Sequence, residues 1–301
     1  MNPEKPNFGQ PDMSSEKPAS IEFTHGDIQN FIRERLEVEL SPERKFELSK
    51  ELINVASFFD ETNIKPYIAG GTGIDLLNGE WNRDHQDLDM AIMGSERAKF
   101  FQAATDAGFL ITDPDRNNLN LDAITDEKTH NAFLFRSDDQ GVTQFEVMFL
   151  NETVDGEVKL THNSRVSRTI YNNAPTVSIE GREVAIQPPE VILFHKLTDG
   201  RRKDFRDAKT VWGSLDEEQR GRLTGFLRDA NVRFVIGKDE ITDIETLFNR
   251  AEQEDQTKHG LFFTEREWAK QYVKMDERLK EKALYEYISE KLWETKLEQQ
   301  D

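Results

Sequence analysis

In the stretch His85-Gln86-Asp87-Leu88-Asp89-Met90, acidic and apolar residues take turns, and no other feature restricts the fold as much. Side chains alternate along a strand, so Asp87 and Asp89 share one face and Leu88 and Met90 share the other. The apolar pair needs a core. The acidic pair needs water or a cation, because adjacent carboxylates repel and raise each other's pKa. A divalent cation removes that cost, and hard oxygen ligands suit Mg2+. Taken alone, an Asp-x-Asp pair reads most simply as a solvated strand end, since aspartate is usually exposed.

Two further features stand beside it. Tyr67-Ile68-Ala69 reads as a short buried strand broken by Gly70-Gly71, with a short helix from Thr72 to Asn78. Glycine lets a backbone approach a ligand closely, and free amides at a helix start bind phosphate. An ordinary strand-to-helix turn uses the same residues. In Gln144-Phe145-Glu146-Val147-Met148-Phe149, the residues Phe145, Val147 and Phe149 share one strand face. Glu146 lies on the other with Gln144 and Met148. A carboxylate there needs a partner or an exposed edge. Neither phosphate-loop signature, G-x-x-x-x-G-K-[ST] or G-x-G-x-x-G, occurs. His130, His162 and His195 are too scattered for a zinc site, and no G-x-S-x-G elbow supports a serine hydrolase.

Composition bounds the rest. The 301 residues include 58 acidic and 39 basic ones, a net charge of −19, with 20 Phe and no Cys. The chain can build a sizeable core, and disulfides, thiolate metal sites and a cysteine nucleophile are excluded. So acidic a chain suits a cationic small substrate better than nucleic acid, although acidity also simply favours solubility. No run is apolar enough for a membrane span, and the N-terminal residues lack the apolar core of a signal peptide. The expectation is a cytoplasmic protein.

Residues 1–20, poor in apolar side chains, are expected to be a disordered tail. Helices are expected at 26–36 and 42–62, the second capped by Ser41 with Pro42 at its first position and Phe46, Leu48, Leu52, Ile53, Ala56 and Phe59 on one face. Leu88 to Met93 reads as a strand, followed by a helix to about 107 capped by Ser95. Further strands are expected near 108–112, 119–124, 131–136, 143–150, 157–161, 176–179 and 183–186. After Pro188-Pro189 the pattern is helix after helix, at about 189–198, 203–213, 215–230, 241–255 and 264–297, with 233–237 a short strand or a turn. The expected domains are 21–187 and 188–301. The long last helix has the apolar residues to dimerise, to close over a substrate, or to pack on its own domain.

The Gly-Gly turn, the Asp-x-Asp strand and the later acid together resemble the nucleotidyltransferase superfamily of polymerase-beta-like fold. Gly70-Gly71-Thr72-Gly73-Ile74-Asp75 and Arg83-Asp84-His85-Gln86-Asp87-Leu88-Asp89 look like its lincosamide and aminoglycoside branch, as does the long spacer 72–86. His130-Asn131-Ala132-Phe133, Asp139-Gln140-Gly141, Pro189 to Leu197 and Arg202 to Ala208 extend the resemblance over about 65–212, with Glu146 where the branch usually has Asp. What it implies is an α+β fold: a mixed-sheet nucleotidyltransferase domain followed by a helical C-terminal domain.

The implied activity is metal-dependent transfer of a nucleoside monophosphate, AMP from ATP, to a hydroxyl of a small aminoglycoside- or lincosamide-like acceptor. Asp87 and Asp89 would hold Mg2+, and Glu146 would complete the site or take the acceptor's proton. Gly70, Gly71, Thr72 and His85 would contact the nucleotide, with Lys196 and Lys203 offsetting its phosphate charge. For His85 a purely structural hydrogen bond is an equal alternative. Two other readings stay open: a toxin-like enzyme acting on tRNA or a protein, disfavoured by the acidic stretch 240–258, and an inactive nucleotide-binding module.

Overall fold

Helix α1, Pro42–Thr62, starts where Ser41 accepts a hydrogen bond from the Arg44 amide, and it ends at Asn63 in the left-handed conformation. The computed structural model describes residues 40–85, 87–112, 131–138, 141–160, 164–200, 202–236, 239–257 and 273–274. The expected tail, the helix at 26–36 and the strand at 119–124 lie outside these residues. Leu48, Leu52, Val55, Ala56 and Phe59 repeat at helical spacing and are buried. Phe46 is not on that face: it is 72% exposed, because at 3.6 residues per turn it points to the side of the helix roughly opposite Leu48, Leu52 and Val55.

A seven-stranded mixed sheet follows. Its members are β1 (Tyr67–Ile68), β2 (Leu88–Met93), β3 (Leu110–Thr112), β4 (Asn131–Asp138), β5 (Gly141–Leu150), β8 (Thr176–Ile179) and β9 (Arg182–Ile186). The order is β3-β4-β5-β2-β1-β9-β8. Strands β2 and β5 are parallel neighbours, and β1 runs antiparallel to β2 but parallel to β9. Helix α2, Gly70–Leu77, connects β1 to β2, and helix α3, Arg97–Asp106, follows a single 3-10 turn after β2. Ser95 does not cap α3. Its hydroxyl donates to Glu152 at 2.5 Å, and the 3-10 turn Gly94–Glu96 moves the helix start on to Arg97. The small hairpin β6 (Glu157–Lys159) and β7 (Arg165–Ser167) and the short helix α4 (Arg168–Asn172) complete this part. The strand β7 and helix α4 had no sequence signal.

Each face of the sheet has its own core. Leu88, Met90 and Ile92 of β2 and Phe145, Val147 and Phe149 of β5 pack with α1 and α3. Phe58, Phe59, Phe100, Phe109 and Phe145 meet there mostly edge to face, for example Phe58 and Phe109 at 5.2 Å, while Phe59 and Phe100 stack at 5.8 Å. The alternate residues Ala91, Met93 and Leu150 belong to the second core. That core is built with α5 (Pro189–Asp199), α6 (Arg202–Trp212) and α7 (Glu217–Asp229). It continues into β10 (Arg233–Ile236) and α8 (Ile244–Thr257).

The C-terminal part is mainly helical but carries a small sheet. Strands β11 (Asp239–Ile241) and β12 (Val273–Lys274) flank β10 antiparallel on its two sides. The strand at Val273–Lys274 interrupts the expected helix 264–297, most of which lies outside the described residues. No described helix is long and apolar enough to cross a membrane.

Candidate active site

The parallel pairing of β2 and β5 sets Asp89 directly opposite Glu146. Asp87, at the bend just before β2, lies on the same side. Ligand oxygens of Asp87, Asp89 and Glu146 all lie within 4.8 Å of one another, and all three residues are partly exposed. Glu146 is not at a sheet edge: β5 is flanked by β2 and β4. Its Oε1 accepts a hydrogen bond from the Asn131 amide group at 2.6 Å, across the β4–β5 pair.

The Gly-Gly turn faces this cluster. Both glycines lie inside α2, which begins two residues earlier than the sequence suggested. Gly70 has φ +56°, and a Cβ there would lie 1.7 Å from Asp89 Oδ2. Only glycine lets this backbone and that carboxylate coexist. As first-turn amides, those of Gly70, Gly71 and Thr72 have no acceptor within the helix. Thr72 is fully buried, and its hydroxyl has no hydrogen-bond partner among the described residues. The Ala69 amide donates to the Asp89 carbonyl at 2.7 Å, which pins the turn to β2.

The spacer between α2 and β2 is an organised loop. Asp75 is buried in α2 and accepts from the Asn82 amide and side chain, both at 3.0 Å. His85 Nε2 meets Asp75 Oδ2 at 2.7 Å, with both side chains buried. Expected among the nucleotide contacts, His85 is instead engaged inside the protein and packs against Gly71. The loop is also held from α1: Arg44 donates to Asp84 Oδ1 at 2.8 Å and to the His85 carbonyl at 3.3 Å, and Trp81 donates to Ser49 at 3.0 Å. At Arg44 a capping box would need Glu or Gln; the arginine there clamps the loop instead.

Lys196 also departs from expectation. Its side chain is 7% exposed, and its ammonium sits 3.0 Å from Asp204 and 3.1 Å from Asp207, both on α6. The lysine expected to face phosphate is thus tied between two aspartates. Lys203 is half-buried on the same helix. Asp207 also binds Arg83 side-on, with Nη2 at 2.9 Å and Nε at 3.2 Å. Burial would raise the Asp207 carboxyl, but hydrogen bonds and charge from Arg83 and Lys196 outweigh it and hold the group below the usual range. Sequence reasoning passed over Asp75, Asp207 and Arg83 as site residues. The signal for Arg83 lay in the Arg-x-His-x-Asp-Leu-Asp stretch, whereas Asp207 joins it only through the fold.

An acidic cluster on paired parallel strands, facing a helix that opens on glycines in an α+β fold, belongs to the nucleotidyltransferase class of enzymes. A family model described as aminoglycoside-2''-adenylyltransferase matches residues 51–210, just over half of the chain. The chain belongs to that family. A lincosamide resistance protein from Staphylococcus haemolyticus is 26% identical over 167 residues, 54% of this chain and 92% of the relative. Among solved structures, the lincomycin-bound lincosamide antibiotic adenylyltransferase LnuA is similar with a TM-score of 0.41 and 19% identity, over 55% of this chain and 97% of that one. ANT(2'')-Ia in complex with adenylyl-2''-tobramycin gives a TM-score of 0.41 and 16% identity, over 60% and 98%.

Proposed function

We propose that the chain transfers AMP from ATP to a hydroxyl of a small antibiotic acceptor of the aminoglycoside or lincosamide type. The observation that carries the reading is the convergence of Asp87, Asp89 and Glu146 beside the Gly70–Gly71 turn. Three carboxylate oxygens within 4.8 Å fit the hard, compact coordination of Mg2+. Asp87, Asp89 and Glu146 would hold the ion, which when bound supplies positive charge to the phosphoryl oxygens during in-line displacement. We assign Glu146 to the ion rather than to the acceptor's proton, because Asn131 ties one of its oxygens and Asp89 is its register partner.

The chain's own groups do the rest. The first-turn amides of α2 bind phosphate oxygens at the positive end of the helix. The missing Cβ at Gly70 leaves the space in which Asp89 stands. The excess of 58 acidic over 39 basic residues favours a polycationic acceptor. A cytoplasmic location follows from the use of ATP as donor. The relative from Staphylococcus haemolyticus supports the antibiotic acceptor, and the acidic helix α8 disfavours tRNA.

The test uses α-labelled ATP with Mg2+, a panel of aminoglycosides and lincosamides, and total tRNA in one reaction. Label on an antibiotic is the expected result. Label on tRNA, or on the protein alone, would overturn the choice of acceptor.

A further inference from the structure

We infer that Arg83 is the cation that meets the β- and γ-phosphates of the nucleotide, and that Asp207, 124 residues further along the chain, is the positioning residue that aims it. This rests on the adenylyl-transfer reading above.

Arg83 lies against the helix opening. Its Nη2 is 2.2 Å from the point a Cβ on Gly71 would occupy, so the guanidinium covers the first turn of α2. It is near enough to Asp89 for their charges to interact. Its side chain is 32% exposed, against 7% for Lys196. One cation therefore opens to solvent beside the acidic cluster, while the other is closed off behind Asp207.

The donor count agrees. A guanidinium has five N–H groups in a fixed plane. Nε and one hydrogen of Nη2 go to Asp207, and one hydrogen of Nη1 goes to the Asp84 carbonyl at 3.0 Å. Among the described residues, each terminal nitrogen keeps one N–H without a partner. Donors on two neighbouring nitrogens suit the oxygens of a phosphate.

The support is rigid from behind. Asp204 of α6, 0% exposed, holds Lys196 of α5, and Lys196 holds Asp207. Asp207 leaves Arg83 a single orientation across the helix–loop junction. Burial works against the Arg83 charge, but the hydrogen bond and charge of Asp207, with Asp75 and Asp89 behind them, outweigh it. The guanidinium stays charged and aimed before any ligand arrives, which lowers the ordering cost of binding.

The experiment measures equilibrium binding, with Mg2+ present, of AMP and of an ATP analogue whose α,β-bridging oxygen is a methylene. Wild type, Arg83→Gln, Arg83→Lys, Asp207→Asn and Asp207→Glu are compared, with melting temperature as the check on folding. Arg83→Gln is expected to weaken the analogue by about 10- to 100-fold, the size of one or two charge-assisted hydrogen bonds. AMP binding is expected to change by less than about twofold, since AMP lacks the outer phosphates. Arg83→Lys keeps the charge without the fork and should fall between. Asp207→Asn should weaken the analogue and raise KM for ATP more than it lowers kcat, with Asp207→Glu restoring most of the loss.

Folded variants that bind the analogue as tightly as wild type would overturn the inference. Equal losses for AMP and the analogue would also overturn it, because they mark a structural role. If Asp207→Asn fails to fold, the two Arg83 variants decide. A wild type that binds neither nucleotide and transfers no AMP would sink the underlying reading, an outcome distinct from wild-type binding that the variants share.

Discussion

On one face of β2, Leu88, Met90 and Ile92 are at most 1% exposed. On the other, Ala91 is fully buried but Asp89, two residues earlier, is not. Strand β5 repeats the pattern: Phe145, Val147 and Phe149 face the aromatic core, while Glu146, Met148 and Leu150 run from an acid through a half-buried methionine to a buried leucine. The face under α1 and α3 is apolar along its length. The face under the C-terminal helices is apolar at one end and acidic at the other. A strand that supplies both a core and a site can do so because alternation separates the faces and register aligns the acids. The closed face holds the strands still, so the open end can hold like charges at short range.

Predictions follow from breaking one face at a time. The largest effect is expected on the acidic face. Asp89→Asn should reduce AMP transfer by about 10^4-fold, near 5.5 kcal/mol of transition-state stabilisation. Its melting temperature should not fall, since a repulsive charge has been removed; steady-state kinetics with differential scanning calorimetry checks both. The opposite result is expected on the closed face. Phe145→Ala should lose about 3–5 kcal/mol of stability in a urea titration, while kcat at temperatures well below melting changes little.

Gly70→Ala sharpens the boundary between the faces. The new Cβ would collide with Asp89 Oδ2 and strain a residue at φ +56°. Transfer should drop by about 100-fold, near 2.7 kcal/mol, with a smaller loss of stability. The smallest effect concerns pH. The Asp207 carboxyl titrates below its ordinary value in the folded chain. The stability it contributes is fully present above its unfolded value of about 3.9 and is lost as pH falls through the lower folded value. The stability difference between wild type and Asp207→Asn should therefore shrink as pH drops below about 4, as read by urea unfolding at stepped pH.

Local chemistry made much of this legible. Ser41-Pro42 marked the start of α1, and the strand Leu88–Met93 was bounded by its own alternation and by Gly94. Gly70-Gly71, Asp87, Asp89 and Glu146 stood out because each breaks a pattern its neighbours keep. Other expectations failed where the sequence offers two equal local choices. Phe46 is apolar like the core residues of α1, but its position around the helix turns it away from Leu48, Leu52 and Val55 and into solvent. Ser95 has the chemistry of a cap but finds Glu152 instead.

The sequence by itself determined which residues alternate, which turns require glycine, and which acids lie on a common strand face, because those properties depend on neighbours within a few positions. Only the tertiary structure decided that Glu146 stands opposite Asp89, that His85 closes on Asp75, and that Lys196 is tied between Asp204 and Asp207. It alone brought Asp207 to Arg83. A charged side chain can reach several partners, and the one it meets is set by where the packed sheet and helices leave it, over separations that local periodicity does not encode.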